Sequence, residues 1–328
     1  MNNGYQAGST ICPACCGLNK YPSYRYNHTM KVSGLLLILL AAFFSFSCLK
    51  NETQKNAAST AGAVSGSESP DLAEAIARFS GDAAEIDPDR EAFVEDFWRW
   101  IFGEAGIPER LARKVAASAL ESPAFVMELL EILQYDPYIY CLVDKKNALP
   151  DGYEPDDLVT LRNGSYRVSR EGLQLRKIAA DALEEMAVAA AREGIILSVG
   201  SAYRSAEYQA QVYEREVRNN GQEMADRESA QSGKSQHQLG LVVDFFPIDD
   251  TFANTPAYKW LRQYSNAFGW SLSFPDGYEE VTGYRYESWH YRYVGRDLIL
   301  FFETYFDGIQ QYALQFIKAW QSYAEVAN

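Results

Sequence analysis

Apolar residues along this chain change their period from segment to segment, and those changes mark its elements. From Asp71 to Gln134 the spacing is helical: Phe93, Phe97, Trp100 and Ile101 stand one to four positions apart, and Ser122-Pro123 reads as an N-cap followed by a first-turn proline. A helix is predicted at about 171–193, with Leu175, Ile178, Ala179, Leu183, Met186 and Ala190 on one face and Gly194 as its stop. A strand is expected from Ile195 to Val199, and Ser205 caps a helix reaching about Val217. Leu241 to Phe246 is an apolar block suited to a buried strand. Thr255-Pro256 opens a helix that Gly269 closes, Trp270 to Phe274 reads as a strand, and aromatic-rich helices follow Arg296. Helices and strands mix without regular alternation, which predicts an α+β fold: a small antiparallel sheet flanked by helices, preceded by a helical segment at 71–134. No internal repeat is present.

The first 70 residues follow another logic. Residues 30–48, MKVSGLLLILLAAFFSFSC, place Lys31 before an apolar run from Leu35 to Phe44 and small residues ending at Cys48. This is the anatomy of a signal peptide, and the run is shorter than the roughly 20 residues of a membrane-spanning helix. It resembles a bacterial lipoprotein signal: Ser47 fits that pattern, whereas Ser45 and Phe46 depart from it. The reading is a signal peptide at 30–47 and a lipidated Cys48, with the folded part exported and facing the periplasm or cell envelope. Residues 1–29 are read as lying ahead of a true start at Met30, and their CPACC cluster has no second cysteine pair to complete a metal site. The small, polar stretch at 48–70 reads as lipid anchor and flexible tether. Cys141 is then the one remaining thiol, so no internal disulfide is expected.

Composition narrows the function. At 328 residues and 47% hydrophobic, the chain can bury a sizeable core. Its formal net charge of -14 argues against a nucleic-acid partner. There are three histidines in all, His28, His237 and His290, so imidazole chemistry has few candidates.

The two later histidines each stand near a carboxylate, in SQHQLGLVVD at 235–244 and ESWHYRY at 287–293. Zinc in a hydrolase takes about three protein ligands and keeps a position for water. His237, Asp244 and His290 supply that set. On one continuous helix His237 and Asp244 would lie about 10.5 Å apart, so a shared ion needs a bend, which Gly240 permits. Glu287 is left over, three residues before His290, and suits a general base acting on a water that zinc makes acidic.

The stretch from Leu142 to Val294 resembles the VanY-type D-alanyl-D-alanine carboxypeptidases, among the zinc D,D- and L,D-carboxypeptidases. Four pieces carry the resemblance in order: LVDKKNALPDGYEPDDLV at 142–159, SAYRSAEYQ at 201–209, SQHQLGLVVD at 235–244 and ESWHYRYVG at 287–295. It implies a zinc carboxypeptidase domain at 135–328, with His237, Asp244 and His290 on zinc, Glu287 as base, and Arg204, Gln209 and Ser235 on substrate. Ala202 and Val242 depart from the usual Gly and Ala. Arg204 has its own argument, since a guanidinium holds a terminal carboxylate through two parallel hydrogen bonds. Ser235 is open to a purely local capping role. The implied reaction removes the C-terminal D-amino acid from peptidoglycan stem peptides, either D-Ala-D-Ala ends or the L,D-linked D-Ala of tetrapeptides. A non-catalytic wall-binding lipoprotein and a D-Ala-D-Ala dipeptidase are the alternatives. Glu287 argues against the first, and a membrane anchor, which faces polymer, against the second. No G-x-S-x-G elbow points to a serine hydrolase.

Overall fold

A computed structural model describes residues 88–326. The expectations for the start at Met30, the signal peptide, Cys48 and the tether concern residues outside that range. Helices α1 (Pro88–Ala105), α2 (Glu109–Glu121), α3 (Pro123–Ile132) and the single turn α4 (Pro137–Tyr140) come first. Strands β1 (Leu158–Thr160), β2 (Arg167–Val168) and β3 (Gln174–Arg176) precede α5 (Lys177–Arg192), β4 (Ser198–Ser201), α6 (Ala206–Asn220) and α7 (Gln222–Glu228). Then come β5 (Val242–Phe245), α8 (Pro256–Tyr264), β6 (Trp270–Leu272), the turn α9 (Glu279–Thr282), β7 (His290–Tyr293), α10 (Arg296–Tyr305) and α11 (Gln310–Val326). None of the described helices is long and apolar enough to cross a membrane.

The α+β class holds, but the sheet is mixed rather than antiparallel throughout. Its order is β2-β4-β5-β7-β6, with β2 parallel to β4 and the remaining pairs antiparallel; β1 and β3 form a separate ribbon. The expected helix at 171–193 begins only at Lys177. Residues 174–176 pair with β1 instead, so Leu175 is buried from a strand, and Ile178 is 40% exposed. The buried stripe of α5 is Ala179, Leu183, Met186, Ala187 and Ala190. Arg176 ties this entry down by donating to Asp157 at 2.6 Å and Asp136 at 2.7 Å. The strand expected at 195–199 runs from Ser198 to Ser201, the stretch that meets β2 and β5.

Two hydrophobic cores fill the described part of the chain. One lies between the sheet and α5, and includes Leu183, Met186, Val243, Phe245, Trp270 and Tyr291. The other joins α1–α3 to α10 and α11 through Phe97, Ile101, Phe125, Phe301, Phe306 and Phe316. The helices after Arg296 pack with α1–α3, so one core draws residues from both sides of 134/135. Arg292, fully buried on β7, ties the sheet to the α4 turn by donating through Nη2 to the carbonyls of Ile139 (3.1 Å) and Cys141 (2.9 Å).

Candidate active site

The site forms on three neighbouring strands because their register puts the right residues opposite one another. Along β5 the alternation sends Val243 and Phe245 into the sheet–α5 core and Asp244 to the other face. Asp244 pairs directly with His290 on β7 and with Ser201 on β4, where the register shifts between Val199 and Ser201. His237 arrives from a 3-10 turn, Gln236–Leu239, which Ser235 caps by accepting from the His237 amide at 3.3 Å. Gly240 ends that turn in the left-handed region at φ 68°, and the chain reverses into β5. This is the bend the sequence requires.

His237 Nε2 lies 3.1 Å from Asp244 Oδ2, and His290 Nδ1 lies 3.2 Å from Asp244 Oδ1 and 3.4 Å from Glu287 Oε2. One ligand atom from each of His237, Asp244 and His290 falls within 4.8 Å of the others, and all three residues are buried. Each imidazole uses its second nitrogen elsewhere. His237 Nδ1 donates to the Ala202 carbonyl at 2.7 Å, and His290 Nε2 sits 3.2 Å from Gln236 Oε1, which also accepts from Ser273 Oγ at 2.8 Å. His237 Nε2 and His290 Nδ1 are thereby left facing the same point, the arrangement that outer hydrogen bonds impose on metal-binding histidines. Phe274 packs on the His290 ring with centroids 4.5 Å apart.

The electrostatics suit a cation. Burial, and then the Arg204 guanidinium, push His237 down to about 4, so it is neutral and able to ligate at physiological pH. Burial alone would raise Asp244, but His237, His290 and Arg204 hold it well below the ordinary carboxylate range. Burial works against the charged form of His290 too, yet its hydrogen bonds to Asp244 and Glu287 prevail and raise it. Burial raises Glu287, with His290 offsetting part of the effect.

All seven proposed site residues of the described chain line one open cavity of about 410 Å³. Arg204 donates to Ser201 Oγ through Nε (3.0 Å) and to Asp244 Oδ2 through Nη2 (2.7 Å). Gln209 steadies it, accepting from Arg204 Nη1 at 3.4 Å while donating to the Ala230 carbonyl at 2.7 Å. Ser235 has the local cap as its resolved bond. Sequence reasoning missed Ser201, Gln236, Ser273 and Phe274. Gln236 adjoins His237 and was within reach; the others meet the site only through sheet pairing.

A buried pair of imidazoles and a carboxylate, converging beside a second carboxyl that burial favours in its neutral form, make a group that could hold a metal ion, the donor set used by metal-dependent hydrolases. Residues 172–296 match the family described as VanY, D-alanyl-D-alanine carboxypeptidase. The protein named putative carboxypeptidase YodJ of Bacillus subtilis is 36% identical over 196 residues, which cover 56% of this chain and 72% of YodJ. The D-alanyl-D-alanine carboxypeptidase of Enterococcus faecalis is 32% identical over 163 residues, 47% of this chain and 58% of its own. Among solved structures, the LdcB LD-carboxypeptidase is 35% identical, with a TM-score of 0.47 over 53% of this chain and 88% of that one. The chain belongs to the VanY family of D-alanyl-D-alanine carboxypeptidases.

Proposed function

We propose that the chain is a zinc carboxypeptidase that removes the C-terminal D-amino acid from peptidoglycan stem peptides, D-Ala-D-Ala ends first and L,D-linked ends second. The convergence of His237 Nε2, an Asp244 oxygen and His290 Nδ1, with Glu287 Oε2 beside them, carries this reading. Two imidazole nitrogens and one carboxylate suit a borderline-soft ion such as Zn²⁺ and leave a coordination position open. Bound there, zinc supplies an acidified water and polarises the scissile carbonyl.

The protein's own groups do the rest. Glu287, whose carboxyl is raised by burial, takes a proton from the attacking water and delivers it to the departing amine. Arg204, steadied by Ser201 and Gln209 and bonded through Nη2 to Asp244, reaches the terminal carboxylate with its guanidinium. Ser235 keeps the His237 turn in place and lines the same cavity. The surrounding protein limits water at the reacting groups, since Asp244 and His290 are buried.

The test is to incubate the zinc-loaded protein with defined muropeptides ending in D-Ala and to read released amino acids by mass. One D-Ala lost from a pentapeptide or a tetrapeptide is the expected result and tells the two specificities apart. Free D-Ala-D-Ala cleaved while the longer stems stay intact would favour a dipeptidase, and no release from any of them would overturn the reading. The export signal and Cys48 belong to the same proposal, placing the enzyme on the membrane facing the wall. Incorporation of labelled fatty acid, lost in Cys48→Ser, is the expected result, and equal labelling of both proteins would reject the anchor.

A further inference from the structure

The cavity extends well past the proposed metal ligands, and its outer wall is unusual for a chain of net charge -14. One face of α6 lines it: Tyr208, Val212, Arg215 and Glu216 follow the helical repeat away from Gln209. Arg170 and Lys234 line it as well. The other cations on this wall are occupied, Arg204 by Asp244 and Arg285 by Glu228 and Asp250. Arg170, Arg215 and Lys234 have no carboxylate partner among the described residues. Arg170 donates to the Gly200 carbonyl at 3.2 Å, and Lys234 reaches only Gln231 Oε1, at 3.5 Å. Of the two acids that flank Arg215 in sequence, Glu216 accepts from Asn220 Nδ2 at 2.8 Å and Glu214 pairs with Arg218 at 3.7 Å.

Such an arrangement favours an anion arriving from outside, because unpaired cations along a cavity attract opposite charge where an acidic surface elsewhere repels it. Position limits which anion. Arg215 lies six residues beyond Gln209, about 9 Å along the helix axis. An extended peptide covers about 3.3–3.6 Å per residue, so a chain anchored by its terminal carboxylate at Arg204 reaches Arg215 two or three residues earlier.

We infer that Arg170, Arg215 and Lys234 form a subsite for a second carboxylate of the peptide, carried two or three residues before its C-terminal residue. This rests on the reading of the cavity as a carboxypeptidase's peptide site. The subsite selects stems with an acidic group at that position, such as a diamino diacid, over stems with a neutral amide or a lysine there.

The experiment uses the full chain carrying Glu287→Gln, zinc-loaded, so that ligand is not consumed. Two synthetic peptides ending in D-Ala, identical except for a free acid or a primary amide on the residue two before the end, are titrated by calorimetry. The acid is expected to bind about fivefold tighter, the scale of a partly solvated ion pair, with a ratio that shrinks as salt rises. The triple substitution Arg170→Gln, Arg215→Gln, Lys234→Gln is expected to bring the ratio close to one. Equal affinity for the two peptides, or a preference that survives the triple substitution, overturns the inference. Turnover by the unsubstituted chain separates the two claims: acid-selective binding with no D-Ala released sustains the subsite and rejects the peptidase reading.

Discussion

Glu287 is 8% exposed and held beside His290, which places an ionisable carboxyl where desolvation works against its charge. Its raised pKa means that the ionised form costs stability at neutral pH, a cost that shrinks as pH falls through the folded-state value and is gone below the ordinary carboxyl value. Glu287→Gln is therefore expected to keep zinc, to lose roughly a hundredfold or more of hydrolysis, and to melt slightly higher. Unchanged turnover in that variant would remove Glu287 from the mechanism. His290 makes the second prediction. Zinc must displace its proton, and because the folded value lies above the ordinary one, affinity falls as pH drops through that raised value. His237, already neutral above about 4, adds no such competition near neutrality. Chelator competition below neutrality is expected to show zinc affinity falling about tenfold per pH unit, and a flat profile would contradict His290 as a ligand. The residue types of this site were legible, because two histidines within the described residues leave few choices. Their outer partners were not, because the Ala202 carbonyl meets His237, and Ser273 meets the Gln236 amide beside His290, only through folding.

At the scale of elements, the site depends on a turn feeding a central strand. Gly240 stands at φ 68°, and a Cβ there would meet Arg176 Cγ at 2.9 Å and Leu158 Cδ2 at 3.1 Å. Gly240→Ala is expected to cost about 1–3 kcal/mol and to weaken zinc binding, since the turn carrying His237 must shift relative to Asp244. Thermal melting and zinc titration check both halves, and wild-type values in both would refute the role of the bend. Several element ends were readable from caps: Ser205 accepts from the Tyr208 amide, and Thr255 with Pro256 opens α8 as expected. The 174–176 segment was misread because its helical-looking spacing competes with pairing to β1, a partner 16 residues away that periodicity does not register.

At the scale of the molecule, two cores share one chain, and the aromatic helices at its end close the core that the first helices open. Phe125 sits at the centre of that second core, with ring centroids 5.2 Å from Phe301, 4.8 Å from Tyr305 and 5.7 Å from Phe316. Phe125→Ala is expected to cost about 3–5 kcal/mol of stability while leaving zinc affinity of the folded protein unchanged, because the metal residues hang from the other core. Calorimetric melting with a zinc titration measures the two effects. A coincident loss of zinc affinity at a temperature where the protein is still folded would show that the helical part also shapes the site.

The amino-acid sequence alone pointed to the class of chemistry, to His237, Asp244 and His290 as a candidate metal set and to the need for a bend at Gly240, since ligand types and backbone freedom are properties of single residues. Only tertiary structure decided that Asp244 faces His290 across a strand pair, that Arg204 leans on Ser201 and Gln209, and that the last helices belong with the first. Those facts arise from pairing between distant segments, where register and apolar cover are settled by packing and leave no periodic trace along the chain.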